Sequence, residues 1–243
     1  MLLFRTRRWI GLSALVFSLL FSTLSQATPA LPSEDADWKL ARETDNINIY
    51  TAPLEGSRFS AFKAVAVLDA PLTTLMAVMV NPHSCVEWVL NCKEAYTIGE
   101  GNFHDRYAYS SNRMPWPVTD RDYVLRIQTR GDEASGEITM IMSAITDMRE
   151  TRSGHIRVEK SDTFYRFEAI NHEQTRMTWL QHTDPNGALP GWLVNSLLVD
   201  IPLKSLQQLE QVAQRDYYQH HQLVYDDEGL LIGVAKSQPA GND

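Results

Sequence analysis

The feature that most limits the possible folds is a run of β-type segments that ends in one long amphipathic helix. Between Lys93 and His182, apolar and polar residues alternate in short segments that polar or glycine-containing turns separate. Such alternation predicts an antiparallel sheet with one apolar face and one solvent-exposed face. The segments are Phe103–Tyr109, Tyr123–Gln128, Ile138–Met142, His155–Glu159, Phe164–Ile170 and Arg176–Gln181.

The segment that follows, from about Pro190 to His220, has the spacing of a helix. Pro202 lies inside it and is expected to kink the helix, because proline lacks an amide hydrogen and its ring crowds the preceding turn. A sheet with one apolar face and one late amphipathic helix can enclose a cavity, so the sequence predicts an α+β fold. The apolar stripe of the helix consists of Leu193, Leu197, Ile201, Leu206, Leu209, Ala213 and Tyr217.

The chain before this sheet is expected to contain two helices and two strands. Asp37–Arg42 is predicted as a short helix, and Ile47–Tyr50 and Phe59–Leu68 are predicted as strands. A second helix is predicted between Pro71 and Pro82, because its apolar residues have helical spacing and prolines stand at both ends.

The first 27 residues have the three parts of an export signal. Three arginines precede an apolar run from Trp9 to Phe21, and Ser25 and Ala27 place small residues where a signal peptidase reads. The run is short for a membrane span, which favours cleavage after Ala27 over a permanent anchor. A short signal of this kind is typical of bacteria, so we expect a periplasmic or secreted protein. The predicted organisation is a signal peptide (1–27), an extended leader (28–36), one domain (37–225) and a frayed tail (226–243).

The charge of the chain excludes one large class of partner. It has 22 Lys+Arg against 30 Asp+Glu, a net charge of −8, and loss of the three signal-peptide arginines makes this −11. No Lys/Arg cluster offsets the excess, and the phosphate backbone of a nucleic acid would be repelled. The composition, 44% apolar and 21% charged, is that of a globular domain.

The two cysteines, Cys85 and Cys92, are close together in the sequence. A disulfide between them is the favoured interpretation, because export leads to an oxidising compartment. Two free thiols are one alternative. A metal site that also uses His83 and Glu87 is the other, although the spacing matches no recognised ligand pattern.

Two further segments are similar to those of a known family. Arg113–Val124 reads RMPWPVTDRDYV, and Asp184–Asn195 reads DPNGALPGWLVN. Together with a weaker match at His155–Val158, they resemble segments of START domains, the steroidogenic-acute-regulatory-protein-related lipid-transfer family. The resemblance extends over about Trp38 to Tyr225. It implies a helix-grip fold, in which a curved antiparallel sheet wraps around a long carboxy-terminal helix and leaves an internal apolar cavity.

The resemblance also implies a function. START domains bind sterols, phospholipids, ceramides or carotenoids, so we expect one lipid or other hydrophobic small molecule in the cavity, such as a sterol, fatty acid or phospholipid. We expect no cofactor, no metal and no catalysis, since the usual hydrolase and nucleotide-binding motifs are missing from the sequence. Two alternatives stay open: a cyclase/aromatase-like enzyme that uses the same pocket on a polyketide, and an envelope chaperone or structural protein with a filled core.

Five residues are candidates for the cavity wall, chosen by side-chain type and by the resemblance. They are Trp88, Arg113, Trp116, Trp179 and Val194, with Arg113 as the expected polar anchor. Aromatic side chains present large apolar surfaces with few polar atoms, which suits an apolar ligand.

A lipid needs a way into such a cavity, and the polar segment 147–154 is the candidate gate. Polar loops with few apolar contacts open at low free energy. Met148 is the large apolar residue of this segment and is expected to touch the ligand or, briefly, a membrane.

Overall fold

The computed structural model describes residues 31–237. The predicted signal peptide (1–27), the start of the leader and the end of the tail lie outside the described residues. The described strands are β1 Lys39–Glu43, β2 Ile47–Pro53, β3 Ser60–Leu68, β4 Cys92–Ile98, β5 Asp105–Asn112, β6 Asp120–Asp132, β7 Glu137–Ala144, β8 His155–Arg157, β9 Lys160–Ala169, β10 Thr175–Asp184, β11 His221–Tyr225 and β12 Leu231–Lys236. The α-helices are α1 Leu72–Val80, α2 Cys85–Trp88 and α3 Gly191–Ala213.

Ten strands form one large sheet that is antiparallel except at one short strand. Its order is β1-β2-β3-β10-β9-β7-β6-β5-β4, and β8 pairs in parallel with the start of β6. Because β3 pairs with β10, the three amino-terminal strands lie beside the last strand of this sheet. The sheet curves around the long helix α3, which is the α+β helix-grip architecture that the sequence predicts.

The apolar core lies between the sheet, α1 and the second half of α3. Leu206 and Leu209 of α3 are fully buried with Ile49 of β2 and Leu75 and Met76 of α1. Helix α1 follows Pro71 and ends before Pro82, as the sequence predicts, because proline suits the start of a helix and cannot continue one. This packing holds α3 against the sheet at its carboxy-terminal half.

Three predicted elements differ from the structure. Residues of the predicted helix Asp37–Arg42 form the edge strand β1, whose exposed side chains show no alternation because its pairing with β2 is made by the backbone. Helix α3 ends at Ala213 instead of His220, and a 3₁₀ turn at Asp216–Tyr218 follows. The predicted tail from 226 includes strand β12, where Leu231 is fully buried against the core.

Candidate functional site

A cavity of about 230 Å³ lies between the inner face of the sheet and the first half of α3. The sheet, mainly β5, β6, β7, β9 and β10, forms one wall of the cavity, and the first half of α3 forms a second wall. The short helix α2 and the 3₁₀ turn Pro82–Ser84 before it form a third wall. The α3 side of the cavity is entirely aliphatic where it is described, with Val194, Leu197, Leu198 and Ile201.

Strand alternation decides which side chains reach the cavity. Successive side chains of a strand point to opposite faces, so every second residue in the first half of β6 lines the cavity. Arg121, Tyr123, Leu125 and Ile127 are on the wall. Asp122 points to the other face, where its carboxylate pairs with Arg157 in a fully buried ion pair at 2.9 Å.

An aromatic cluster forms the apolar part of the wall. The ring of Trp179 lies 5.9 Å from that of Trp88, 5.2 Å from that of Phe62 and 5.3 Å from that of Tyr165. Edge-to-face and tilted contacts of this kind stabilise one arrangement of the rings. Burial raises the pKa of the Tyr165 phenol above its ordinary value, so this wall carries no charge at neutral pH.

Beyond the aromatic cluster, polar side chains of β9 and β10 line the cavity. The indole N–H of Trp179 donates to Oε1 of Gln181 at 3.1 Å, and Nε2 of Gln181 donates to Oγ1 of Thr183 at 2.9 Å. The hydroxyls of Thr183 and Ser161 share a further hydrogen bond at 2.8 Å. All four residues line the cavity. The wall therefore passes from aromatic to neutral polar along β10.

Arg121 lines the cavity at its polar end and holds two loops together. Its guanidinium donates to the carbonyl oxygens of Thr119 at 2.5 Å, Pro185 at 3.0 Å and Asn186 at 2.7 Å. Thr119 precedes β6, whereas Pro185 and Asn186 lead into α3. Burial lowers the pKa of the guanidinium, but an arginine keeps its charge at any physiological pH. Arg121 is thus a structural tie between the sheet and the start of α3.

A disulfide holds the third wall. Cys85 and Cys92 are bonded, with their Cα atoms 6.0 Å apart, which confirms the favoured interpretation and leaves neither sulfur free for the alternative metal site. Cys85, Trp88 and Val89 line the cavity from within the closed loop. The disulfide therefore ties the α2 segment to the start of β4, beside the cavity.

Three of the five candidate residues lie on the wall. Trp88 and Trp179 belong to the aromatic cluster, and Val194 lies on the first turn of α3. The structure places them around the same cavity, and their contact with a ligand stays a prediction.

Arg113 and Trp116 are not on the wall, so this part of the prediction is wrong. Trp116 is 92% exposed, at the tip of a turn in which the Val118 amide donates to the Pro115 carbonyl. Arg113 is also exposed, and its backbone amide donates to the carbonyl of Asn91. The two prolines force the chain into a turn outside the sheet, and of residues 113–118 only Met114 lines the cavity.

The candidate gate 147–154 lies on the opposite face of the sheet. The Arg149 guanidinium covers the ring of Tyr109 at 4.3 Å, and Tyr109 points away from the cavity because its neighbours Ala108 and Ser110 line it. Arg157 donates to the carbonyls of Arg149 and Glu150 and so fastens the loop to this face. Met148 is 41% exposed there. A loop in this position does not close the cavity.

Several wall residues escaped the sequence analysis, among them Gln181, Thr183 and Ser161. Polar residues in a predicted strand look solvent-exposed when they are considered one at a time. Their spacing from Trp179 could have identified them. Gln181 and Thr183 stand two and four positions after Trp179, so they lie on the same face of β10.

Comparison with known proteins agrees with this geometry. The family model described as START domain matches residues 24–215. The chain belongs to the START family. An uncharacterized protein of Pseudomonas aeruginosa is 31% identical over 74% of this START domain protein and 88% of its own length. Human phosphatidylcholine transfer protein is 30% identical over 69% of this chain and 78% of its own.

Solved START structures have the same fold. A STAR-related lipid transfer protein from Xanthomonas axonopodis superposes with a TM-score of 0.66 and 24% identity, covering 73% of this chain and 99% of that one. Human STARD10 superposes with a TM-score of 0.65 and 20% identity, covering 74% of each chain. Among the described residues of this START protein, no helix is long and apolar enough to cross a membrane.

Proposed function

We propose that this START protein binds one lipid molecule in the cavity and transfers it between lipid surfaces. The observation that carries the proposal is the cavity itself, which has an aromatic wall and an aliphatic helix above it. Ligand sites for apolar molecules combine this lining with a few polar groups that orient the ligand. A structural protein of the same size would have filled this space with side chains.

The relatives support the same class of function. The names of human phosphatidylcholine transfer protein and of the Xanthomonas STAR-related lipid transfer protein both describe lipid transfer. Transfer requires contact with a membrane, and we propose that this contact is brief.

The proposed function is non-catalytic. General acid–base catalysis of the cyclase type needs a titratable group on the cavity wall with a pKa near the working pH. Among the described wall residues there is no carboxylate and no imidazole, and the guanidinium of Arg121 is occupied by three carbonyls. The chemistry of this wall supports binding.

We propose that the protein works outside the cytoplasm, in the periplasm or after secretion. The tripartite amino-terminal sequence supports export. The disulfide between Cys85 and Cys92 supports an oxidising compartment, because cytosolic thiols are kept reduced.

Mass spectrometry of the natively purified protein tests the proposal. We expect a mature chain that begins at Thr28 and carries one lipid. Val194→Asp should reduce the bound lipid at least tenfold, because it places a charge in an apolar wall. Gln207→Asp, on an exposed position of the same helix, is the matched control and should keep its lipid.

Two results would contradict the proposal. One is that the protein carries no lipid and takes none from a panel of sterols, fatty acids and phospholipids. The other is a chemically altered product released from the ligand, which would favour the cyclase-like alternative.

A further inference from the structure

The chain continues after α3 with a segment that lies outside the residues matched by the family model. The match ends at residue 215. A 3₁₀ turn at Asp216–Tyr218 and the hairpin of β11 and β12 follow. The hairpin packs on the domain, because Leu231 is fully buried in the apolar core and Leu223 and Val234 pack against that core. The segment therefore has a fixed position relative to the sheet and α1.

Tyr218 connects this segment with the third wall of the cavity. The residue is 2% exposed, and its phenol donates to Oε2 of Glu87 at 2.9 Å. The same phenol oxygen accepts from Nδ2 of Asn81 at 3.2 Å. A carboxylate only accepts and an amide nitrogen only donates, so this one hydroxyl satisfies both groups. Burial raises the pKa of Tyr218 to about 12, so the phenol keeps its proton at physiological pH.

These two hydrogen-bond partners belong to the wall itself. Asn81 lines the cavity, and its Oδ1 accepts from the His83 amide at the start of the 3₁₀ turn Pro82–Ser84. Glu87 lies in helix α2, directly before Trp88 of the aromatic cluster. A change at the phenol of the carboxy-terminal segment therefore reaches both parts of the third wall.

The third wall depends on such contacts, because its own helix is too short to be stable alone. Helix α2 has four residues, and an isolated helix of that length does not form in water. The disulfide and the bond from the Leu90 amide to the Ser205 hydroxyl fasten the wall to β4 and α3. Tyr218 and Arg215 fasten it to the chain that follows α3. The Arg215 guanidinium lies 3.2 Å from Oε2 of Glu87, but it is exposed and contributes little, so Tyr218 is the main contact.

We infer that Tyr218 is a positioning residue for the cavity, which holds the third wall in place through Glu87 and Asn81 and thereby slows release of the bound ligand. A wall that moves at lower free energy loses its contacts with a ligand sooner, and such differences appear mainly in the dissociation rate. The effect on release rests on the proposed lipid-binding function. The position of the wall does not, so the two can be tested separately.

Two variants that each remove one buried hydroxyl test the effect on release. Tyr218→Phe removes the phenol oxygen and keeps the ring. Thr175→Val is the matched control, because it removes a fully buried hydroxyl that donates to the Ala70 carbonyl at 2.8 Å and is not on the cavity wall. Protein loaded with pyrene-labelled phosphatidylcholine, or with a pyrene-labelled fatty acid, is mixed with excess unlabelled vesicles. Tyr218→Phe should release the probe about fivefold faster or more, because it loses a hydrogen bond to a charged group. Thr175→Val should release it at the rate of the parent.

Amide hydrogen exchange of the lipid-free protein tests the position of the wall without a ligand. The amides of Ser84 and Val89 donate to carbonyls within the wall. In Tyr218→Phe they should exchange faster than in the parent, whereas the amides of β9 and β10 should be unchanged. In Thr175→Val the two wall amides should exchange as they do in the parent.

The outcomes separate the inference from the function on which it rests. Release from Tyr218→Phe at the parental rate would overturn the inference, and so would an equal acceleration in Thr175→Val, which would indicate a general loss of stability. If the parent takes up neither probe, the result contradicts the proposed function for these lipids. Amide exchange then decides the inference: faster exchange of the wall amides in Tyr218→Phe supports the positioning role, and unchanged exchange overturns it.

Discussion

The two halves of helix α3 share one amphipathic pattern and have different surroundings. After Pro202, Leu206 and Leu209 are completely buried and contact the apolar core. Before Pro202, Leu197 and Ile201 face the cavity and are only partly buried. The same apolar stripe therefore packs against the protein core at one end and lines the cavity at the other.

This difference shows how one helix can serve stability and binding separately. Pro202 lies at the junction, where it removes one backbone hydrogen bond between the halves. The second half anchors the helix through close packing. In the first half, Leu193 is buried and Leu198 packs against the core, but both Leu197 and Ile201 line the cavity.

The largest effect is expected from shortening matched leucines in the two halves. Leu206→Ala should lower the free energy of unfolding by ~2–5 kcal/mol, because it leaves a void in a packed core. Leu197→Ala should lower it by less than about half as much in lipid-free protein, since its side chain already faces a cavity. Urea unfolding of both variants, without lipid, measures the difference.

Equal losses of unfolding free energy in the two variants would contradict the difference between the two halves of α3. They would show that the first half of α3 is packed as tightly as the second, with no separate binding half.

Removal of the disulfide should have the next largest effect. The double variant Cys85→Ser and Cys92→Ser frees a short loop, and we expect the free energy of unfolding to fall by about 2–3 kcal/mol. The loop carries Trp88 on the cavity wall, and its Leu90 amide donates to the Ser205 hydroxyl of α3 at 3.0 Å. Lipid should therefore dissociate faster as well.

A Ser205→Ala variant separates these two contributions, because it removes the contact with α3 and keeps the disulfide. If the disulfide variant exchanges lipid at the rate of the parent, the α2 segment is not a controlling wall of the cavity.

The smallest effect concerns pH and the outer face of β10. Burial is the main cause that lowers the pKa of His182 below its ordinary value of 6.5, against smaller opposite effects of the Phe59 backbone, Asp162 and Asp184. Because the unfolded chain binds this proton more readily, the stabilisation is complete above about pH 6.5 and is lost as the pH falls below it. Thermal unfolding between pH 7 and 5 should show the loss.

The same scan with His182→Gln should show a smaller dependence on pH. Lipid affinity of the folded protein should not follow this titration, because His182 bonds to Ser57 at 2.8 Å and not to the cavity wall. If lipid affinity changed with pH in parallel with stability, the outer face of β10 and the cavity would not be independent of each other.

Much of the fold could be predicted from the sequence because local periodicity reports which residues share a face. The alternation in β6, β9 and β10, the helical stripe of α3 and the cysteine pair all predict elements that the structure confirms. The edge strand β1 was not predicted, because its side chains are all exposed and its pairing is made by backbone groups. Strand β12 escaped because its burial depends on a distant surface of the core.

The site could be predicted only in part, for a related reason. Trp88, Trp179 and Val194 lie on elements whose apolar faces the pattern identifies. Trp116 has the same chemical character but stands in a proline turn, where no periodicity indicates a direction. Side-chain type alone does not distinguish a wall residue from an exposed one.

The sequence by itself determined most of the strands of the large sheet, the helices α1 and α3, the family and the cysteine pair. Only the tertiary structure decided which face of the sheet each loop covers, that Arg121 is occupied by three carbonyls and that the cavity stops near Pro202 of α3. The physical reason is that face patterns arise from neighbours along the chain. The position of a loop, the partners of a buried charge and the extent of a void depend on residues that are distant in sequence and meet only after folding.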